Sequence, residues 1–129
     1  MLEFITSRIR SFRYAFSGWG YVLKTQRNAW IHATISVLVV LLAVWLGLSP
    51  RDWAVIILTM GMVWASEFVN TAIEALVDLS TPGHHPLAQI GKDVGAAAVL
   101  IAAGSAALIG LLILGPPLWA KIQQIGSFH

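Results

Sequence analysis

Three long apolar stretches restrict what this chain can fold into more than any other feature. They run from Ile31 to Leu48, from Trp53 to Val77 and from Val94 to Leu114. Pro116 and Pro117 follow the third stretch and are expected to close its helix. A helix needs about 20 predominantly apolar residues to cross the hydrocarbon core of a bilayer. Each stretch therefore predicts a transmembrane helix, and the predicted fold class is an all-α membrane protein.

The composition and the length agree with that fold class. Only 11% of the 129 residues are charged, whereas a soluble domain carries about 25%. The length predicts a single membrane domain over residues 1–129. Because the sequence contains no cysteine, disulfides, thiolate metal sites and cysteine nucleophiles are excluded.

Residues 1–28 differ from the apolar stretches because basic side chains are mixed with large apolar ones. Such a segment is typical of an amphipathic helix that lies flat in the lipid headgroup layer; a soluble helical arm is the alternative. Trp19, Tyr21 and Trp30 favour the surface helix, since aromatic residues concentrate at membrane interfaces.

The basic residues predict the orientation in the membrane. Residues 1–28 hold five Lys or Arg and the 79–92 loop holds Lys92, whereas the other side has only Arg51 and Lys121. Because short loops rich in Lys and Arg stay in the cytoplasm, we expect the amino terminus and the 79–92 loop to be cytoplasmic.

Polar residues of the second stretch share one side of their helix. At about 100° per residue, four of them form a single stripe: Glu67, Asn70, Glu74 and Asp78. An ionisable residue at the centre of a span costs at least about 2.5–3.5 kcal/mol. A helix that ended before Glu67 would leave only residues 53–66, which are too few to cross. A functional site is therefore the better interpretation.

Carboxylates without cysteine indicate either hard cations, above all Mg²⁺, or proton or sodium transport. From Trp53 to Ala65 the only hydroxyl belongs to Thr59, so the polarity stops midway across the membrane. This arrangement favours a site open to cytosolic reagents and to a lipid headgroup.

The loop before the third stretch adds further polar residues. Lys92 and Asp93 are expected at the amino-terminal end of the third helix, where free N–H groups and the helix dipole attract anions. A positive-inside anchor with a capping aspartate explains them equally well. His84 and His85 are metal-ligand candidates, but adjacent histidines are more often solvated. The sequence has no Walker-type loop, protein-kinase signature or nucleophile elbow.

Small residues recur every four positions in the third stretch: Ala98, Ala102, Ala106 and Gly110. This spacing lets helix backbones approach closely in lipid. Three helices also offer little interior in which to bury charge, so we expect the chain to self-associate.

Several segments together resemble the prokaryotic diacylglycerol kinase family. They are EFVNTAIEALVD at 67–78, HPLA at 85–88 and KDVGAAAVL at 92–100. The segments SFRYAF at 11–16 and KTQRN at 24–28 are similar to the undecaprenol kinase branch of that family.

The resemblance implies an integral-membrane lipid kinase that moves the γ-phosphate of MgATP to a lipid hydroxyl, with ATP as co-substrate and Mg²⁺ as cofactor. It implies a homotrimer with three spans and a surface helix per subunit, and active sites shared between subunits at the cytoplasmic face. The amino-terminal motif favours undecaprenol over diacylglycerol as acceptor. A non-catalytic membrane oligomer or ion carrier is the alternative, and no nucleic-acid partner is expected.

The resemblance also implies roles for individual residues. Glu67 matches the general base and Glu74 a metal-binding carboxylate. The other matched positions belong to polar or nucleotide-binding residues: Arg10, Tyr14, Asn70, Asp78, His85, Lys92 and Asp93. At Gln26 the family often has a glutamate that helps to hold the metal. Gln26 keeps a carbonyl oxygen as a candidate ligand but lacks the charge, which predicts weaker metal binding.

Overall fold

The chain folds into four helices in the computed structural model, which describes residues 1–81 and 83–127. They are α1 (Leu2–Thr25), α2 (Arg27–Leu46), α3 (Pro50–Ser80) and α4 (Pro86–Gly126). No strand occurs in these two ranges, which confirms the all-α prediction. Pro82, within the predicted 79–92 loop, and residues 128–129 lie outside the described part of the chain.

Helices α2, α3 and α4 are each long and apolar enough to cross a membrane, as the three apolar stretches predict. With 31 and 41 residues, α3 and α4 are longer than the hydrocarbon core, which about 20 helical residues span. The helices therefore extend beyond the predicted spans 53–77 and 94–114.

One residue separates α1 from α2. Gln26 has an extended backbone conformation (φ −102°, ψ 112°) and ends α1 at Thr25. The indole N–H of Trp30 donates to the carbonyl oxygen of Leu23 at 2.9 Å and links the two helices across this corner. The predicted 1–28 helix is therefore shorter, and Arg27 and Asn28 belong to α2.

The turn between α2 and α3 has standard capping chemistry. Gly47 ends α2 in the left-handed region at φ 68°, a conformation that glycine adopts without a steric penalty. The Ser49 side chain then accepts a hydrogen bond from the backbone N–H of Asp52. Pro50 occupies the first turn of α3, where its missing N–H costs little.

The end of α4 corrects the prediction. Pro116 and Pro117 were expected to close the third span, but the helix continues through them to Gly126. A proline removes one helical hydrogen bond. In a long apolar helix that bond is the smaller loss, because leaving the helix would expose many more unpaired backbone groups to lipid.

Helix α3 is the centre of the chain, and α4 makes its most extensive contact. The buried face of α3 is apolar towards its start and polar towards its end: Ile56, Thr59, Val63, Glu67, Asn70 and Thr71. The spacing of three or four residues places these side chains on one side of a helix. The polar half of this face therefore lies near the α1–α2 corner, while the apolar half lies farther down the bundle.

Aromatic side chains attach the end of α1 to α3. The ring of Trp19 lies 4.8 Å from that of Trp64 and 4.7 Å from that of Phe68. At the other end of the bundle, the Lys121 ammonium group lies 5.6 Å from the centre of the Trp45 ring. The contact between Lys121 and Trp45 places the ends of α2 and α4 together, on the side opposite to Gln26.

Candidate active site

A cavity of about 330 Å³ lies between α2, α3 and α4 beside the α1–α2 corner. It brings together three members of the predicted stripe, Glu67, Asn70 and Glu74, with Gln26. Asn28 and His32 from α2 complete its polar lining, and α4 contributes apolar residues. The clustering of Glu67, Glu74 and Gln26 agrees with the sequence expectation of one site.

Glu67 is the deepest acid of this cavity, with 2% of its surface exposed. Its backbone carbonyl accepts a hydrogen bond from the Thr71 hydroxyl at 2.9 Å. Within the described part of the chain, its carboxylate has no hydrogen-bond donor. Since a buried carboxylate normally has partners, this group is suited to accept a proton or a hydrogen bond from a bound molecule.

Glu74 lies two turns from Glu67 and is held from two sides. The Asn70 amide N–H donates to one carboxylate oxygen at 2.9 Å, and the Gln26 amide N–H donates to the other at 2.8 Å. Each oxygen keeps a second lone pair. The two donors therefore fix the direction of the carboxylate while leaving it able to bind a further partner.

Gln26 thus contacts Glu74 through its amide nitrogen. In this orientation its carbonyl oxygen is not directed, together with the Glu74 carboxylate, at a common metal position. The single extended residue at the helix corner is what carries this side chain to α3. Rotating the amide by 180° would exchange its oxygen and nitrogen, since an amide offers one acceptor and one donor end.

Asn70 is packed against α4 at Gly95. Asn70 is 7% exposed, and its carbonyl oxygen is buried without a hydrogen-bond partner. A methyl group on Gly95 would overlap this oxygen. Glycine is therefore required at this position for α3 and α4 to approach while Asn70 stays directed at Glu74.

Replacing Gly95 with alanine should displace the Asn70 amide and lower the free energy of unfolding by about 1–3 kcal/mol, the usual cost of overpacking. Thermal unfolding in detergent micelles, followed by circular dichroism, measures this effect. Gly104→Ala is the matched control on the same helix, because a methyl group there meets nothing within 4 Å. Equal melting temperatures for the two variants would contradict the packing argument.

A second cavity, of about 500 Å³, lies one turn beyond Glu74, at the end of α3. Asp78, Lys92, His84 and His85 line it. Lys92 forms an ion pair with Asp78, and both side chains are at least partly exposed. The charged groups of this second cavity lie at the surface, whereas the Glu67 carboxylate of the first cavity is buried.

The start of α4 corrects another expectation. Lys92 and Asp93 were expected at the amino-terminal end of the third helix, but α4 already begins at Pro86, with His85 as its cap. The imidazole of His85 accepts a hydrogen bond from the backbone N–H of Leu87 at 3.2 Å. Asp93 lies in the second turn, where its carboxylate accepts from the Gln89 amide at 2.8 Å. The free N–H groups that attract anions are therefore nearer His85.

The structure places Arg10 and Tyr14 away from both cavities. They line a separate groove on α1 with Arg13 and Ser17, and Tyr14 is 66% exposed. Within one chain, these two predicted nucleotide-site residues are not brought to Glu74 or Lys92.

Sequence reasoning missed Asn28 and His32, which line the first cavity with Glu67. A signal was available for one of them, because His32 is the only ionisable residue in the stretch from Ile31 to Leu48. An isolated polar residue within an apolar span is a candidate for a functional role.

Comparison with known proteins identifies the family. The sequence pattern of the family described as prokaryotic diacylglycerol kinase matches residues 13–114, which include both cavities and the three predicted spans 31–48, 53–77 and 94–114. The chain belongs to this family. The match confirms the family resemblance inferred from the sequence segments.

Relatives within the prokaryotic diacylglycerol kinase family carry two names. The chain is 45% identical over 109 residues to a diacylglycerol kinase of Synechocystis sp., a match that covers 84% of this chain and 62% of that protein. It is 40% identical to an undecaprenol kinase of Bacillus subtilis, covering 84% of this chain and 89% of that protein. It is 37% identical to a diacylglycerol kinase of Escherichia coli, covering 64% and 74%. This chain thus spans less than two thirds of the Synechocystis relative.

Proposed function

We propose that this protein is a lipid kinase that transfers the γ-phosphate of MgATP to the hydroxyl group of a membrane lipid. The observation that carries the proposal is the buried carboxylate of Glu67, which has no hydrogen-bond donor among the described residues and shares a cavity with the firmly held Glu74. The names of its relatives, diacylglycerol kinase and undecaprenol kinase, agree with this chemistry.

The donor set of the first cavity fits a magnesium ion. Mg²⁺ prefers oxygen ligands and is commonly bound by one or two carboxylates together with substrate phosphates and water. The free lone pairs of Glu74, and the Gln26 carbonyl after rotation of its amide, would provide the protein's oxygens. When bound, the ion would neutralise charge on the phosphates. No group of three or more His, Cys, Asp or Glu side chains in the described ranges forms a metal site, so the nucleotide would supply the remaining ligands.

Individual residues of this chain would have separate roles in phosphoryl transfer. Glu67 would accept the proton of the lipid hydroxyl, because its carboxylate lies in the first cavity and is unpaired within residues 1–81 and 83–127. Lys92 would place a positive charge beside the nucleotide in the second cavity, with Asp78 and His85 along the same wall. Asp78 lies one helical turn from Glu74, about 6 Å along the axis. Nucleotide and phosphoryl acceptor could therefore occupy neighbouring cavities.

Undecaprenol is the proposed acceptor, and diacylglycerol is the alternative. The amino-terminal motif and the 40% identity to an undecaprenol kinase over 89% of its length support undecaprenol. The 45% identity to a diacylglycerol kinase supports the alternative. Both lipids present a primary hydroxyl group, so the carboxylates of α3 do not distinguish between the two acceptors.

A homotrimer with shared active sites is also proposed. Much of the surface of one chain is apolar, and large side chains on every helix are exposed. Arg10, Tyr14 and Asp93 do not reach Glu74 in one chain, and a neighbouring subunit would bring such residues to the site. Ala98, at the start of the small-residue face of α4, is exposed, which leaves room there for a second helix.

The proposed orientation places the amino terminus and the 79–92 loop in the cytoplasm, with α1 flat on the membrane surface. Five basic residues lie in the first 27 positions, and Gln26, which immediately precedes Arg27, contacts Glu74 at the same end of α3 as the ion pair of Lys92. Lys121 contacts Trp45 at the opposite end. This separation supports the positive-inside assignment.

Purified protein incubated with radiolabelled ATP, Mg²⁺ and either undecaprenol or dioleoylglycerol tests the function directly. We expect labelled lipid, with greater turnover on undecaprenol, and chromatography of the product names the acceptor. Absence of label in both lipids would refute the kinase proposal. A larger kcat/KM on the diacylglycerol would refute the choice of acceptor alone.

Replacing Gln26 with glutamate should tighten magnesium binding. The new carboxylate would face Glu74 across the 2.8 Å contact that the Gln26 amide now makes, and a cation is required to offset two adjacent negative charges. We expect the Mg²⁺ concentration for half-maximal activity to fall several-fold. An unchanged magnesium titration would contradict a position for Gln26 at the metal.

A further inference from the structure

The first cavity continues into an apolar groove of about 500 Å³ that runs between α2, α3 and α4. Two residues, His32 and Ala103, line both the polar cavity and this groove. The groove extends from His32 to Leu114 and Leu118, near the other end of α4. His32 therefore stands at the boundary between a compartment with two acids and a long hydrocarbon-like one.

The other polar side chains of the groove already have partners. The Ser36 hydroxyl accepts a hydrogen bond from the Trp64 indole at 3.3 Å. The Thr59 hydroxyl donates to the carbonyl oxygen of Val55 at 2.7 Å. These contacts orient the two hydroxyl groups, although each of them can still form a second hydrogen bond.

The imidazole of His32 is different. Its ring lies 6.5 Å from that of Trp64 in an edge-to-face arrangement, which holds it in place. In the described ranges its nitrogens have no hydrogen-bond partner. A polar group in an apolar span is costly without one, and a neutral imidazole has one donor and one acceptor nitrogen to offer.

We infer that His32 binds the acceptor hydroxyl of the lipid and directs it at Glu67, while the hydrocarbon chain lies in the apolar groove. A long-chain alcohol has a single polar atom at the end of an apolar chain. The site around His32 matches this, because a polar cavity lies on one side of His32 and an apolar groove on the other. This inference rests on the proposed lipid kinase function and adds a residue that positions the acceptor.

The transfer itself is unchanged by this role. The hydroxyl oxygen forms a bond to the γ-phosphorus, and the bond from that phosphorus to the bridging oxygen of ADP breaks. The hydroxyl proton passes to the carboxylate of Glu67. His32 contributes a hydrogen bond to the hydroxyl group before and during this step.

Two substitutions separate hydrogen bonding from packing. His32→Phe keeps an aromatic ring against Trp64 but removes both nitrogens, whereas His32→Gln keeps a donor and an acceptor. Thr34→Ala is the control on the same helix, since Thr34 is exposed and its hydroxyl donates to the carbonyl oxygen of Trp30 within that helix. Each protein is assayed by varying undecaprenol at saturating MgATP and MgATP at saturating undecaprenol.

For His32→Phe we expect kcat/KM for undecaprenol to fall about tenfold, as for the loss of one hydrogen bond of about 1.5 kcal/mol, while KM for MgATP stays within twofold. His32→Gln should recover most of the loss, and Thr34→Ala should match the wild type. A His32→Phe variant with wild-type kcat/KM for undecaprenol, or one that loses helical content by circular dichroism, would overturn the inference.

The outcomes also distinguish this inference from the function on which it rests. A wild-type protein that labels no lipid refutes the kinase proposal. An active wild type whose His32→Gln variant loses activity, while His32→Phe keeps the wild-type kcat/KM, assigns the effect to packing on Trp64 and overturns the role of His32 alone.

Discussion

Replacing Glu67 with glutamine should lower the kcat for lipid phosphorylation at least about a thousandfold, a loss within the range for removal of a general base. The amide has nearly the shape of the carboxylate but cannot accept the hydroxyl proton. Because the Glu67 side chain has no hydrogen-bond partner in the described ranges, the change breaks no internal contact. Assembly and melting temperature should stay close to those of the wild type.

The measurement for Glu67 is steady-state transfer of labelled phosphate, with size-exclusion chromatography in detergent to follow assembly. Glu3→Gln is the matched control, since it makes the same chemical change at an exposed position of α1. Near-normal turnover by Glu67→Gln would remove the general base from the proposal. Loss of assembly would instead assign Glu67 a structural role.

Replacing Glu74 with glutamine should reduce kcat/KM for MgATP about a hundredfold or more, a loss typical of removing one electrostatic contact to a transition state. The charge that would hold Mg²⁺ disappears. In addition, one carboxylate oxygen becomes an N–H₂ group that faces the N–H donor of either Asn70 or Gln26. The site would lose both a metal ligand and its fixed geometry.

A magnesium titration distinguishes the two acids. Glu74→Gln should raise the Mg²⁺ concentration for half-maximal activity, whereas the residual activity of Glu67→Gln should show the wild-type magnesium dependence. A Glu74→Gln protein with unchanged magnesium dependence would place the metal elsewhere. The same titration on Gln26→Glu, which should shift in the opposite direction, tests whether the metal lies between these two side chains.

Periodicity alone was sufficient to predict the central part of the site. Glu67, Asn70 and Glu74 share a helix face because their spacing matches the helical period, and the structure places all three in one cavity. The fold class followed from hydropathy in the same way, since each apolar stretch is long enough to cross a bilayer. Both are local properties of consecutive residues.

Helix ends and cross-helix contacts were harder to predict. Pro116 and Pro117 normally signal the end of a helix, yet α4 continues through them. Lys92 lies in the second turn of α4, where it pairs with Asp78 rather than standing at a free helix end. These outcomes depend on what surrounds each position, and a pattern in one segment does not contain that information.

The sequence by itself determined the membrane-spanning helices, the acidic stripe and the family, because each is encoded in the order of residues along one segment. Only the tertiary structure decided that Gln26 reaches Glu74, that Gly95 gives room to Asn70, and that His32 lies between the polar cavity and the apolar groove. The physical reason is that these contacts join separate helices. Their geometry is set by the packing of whole side-chain surfaces, and spacing along the chain does not specify it.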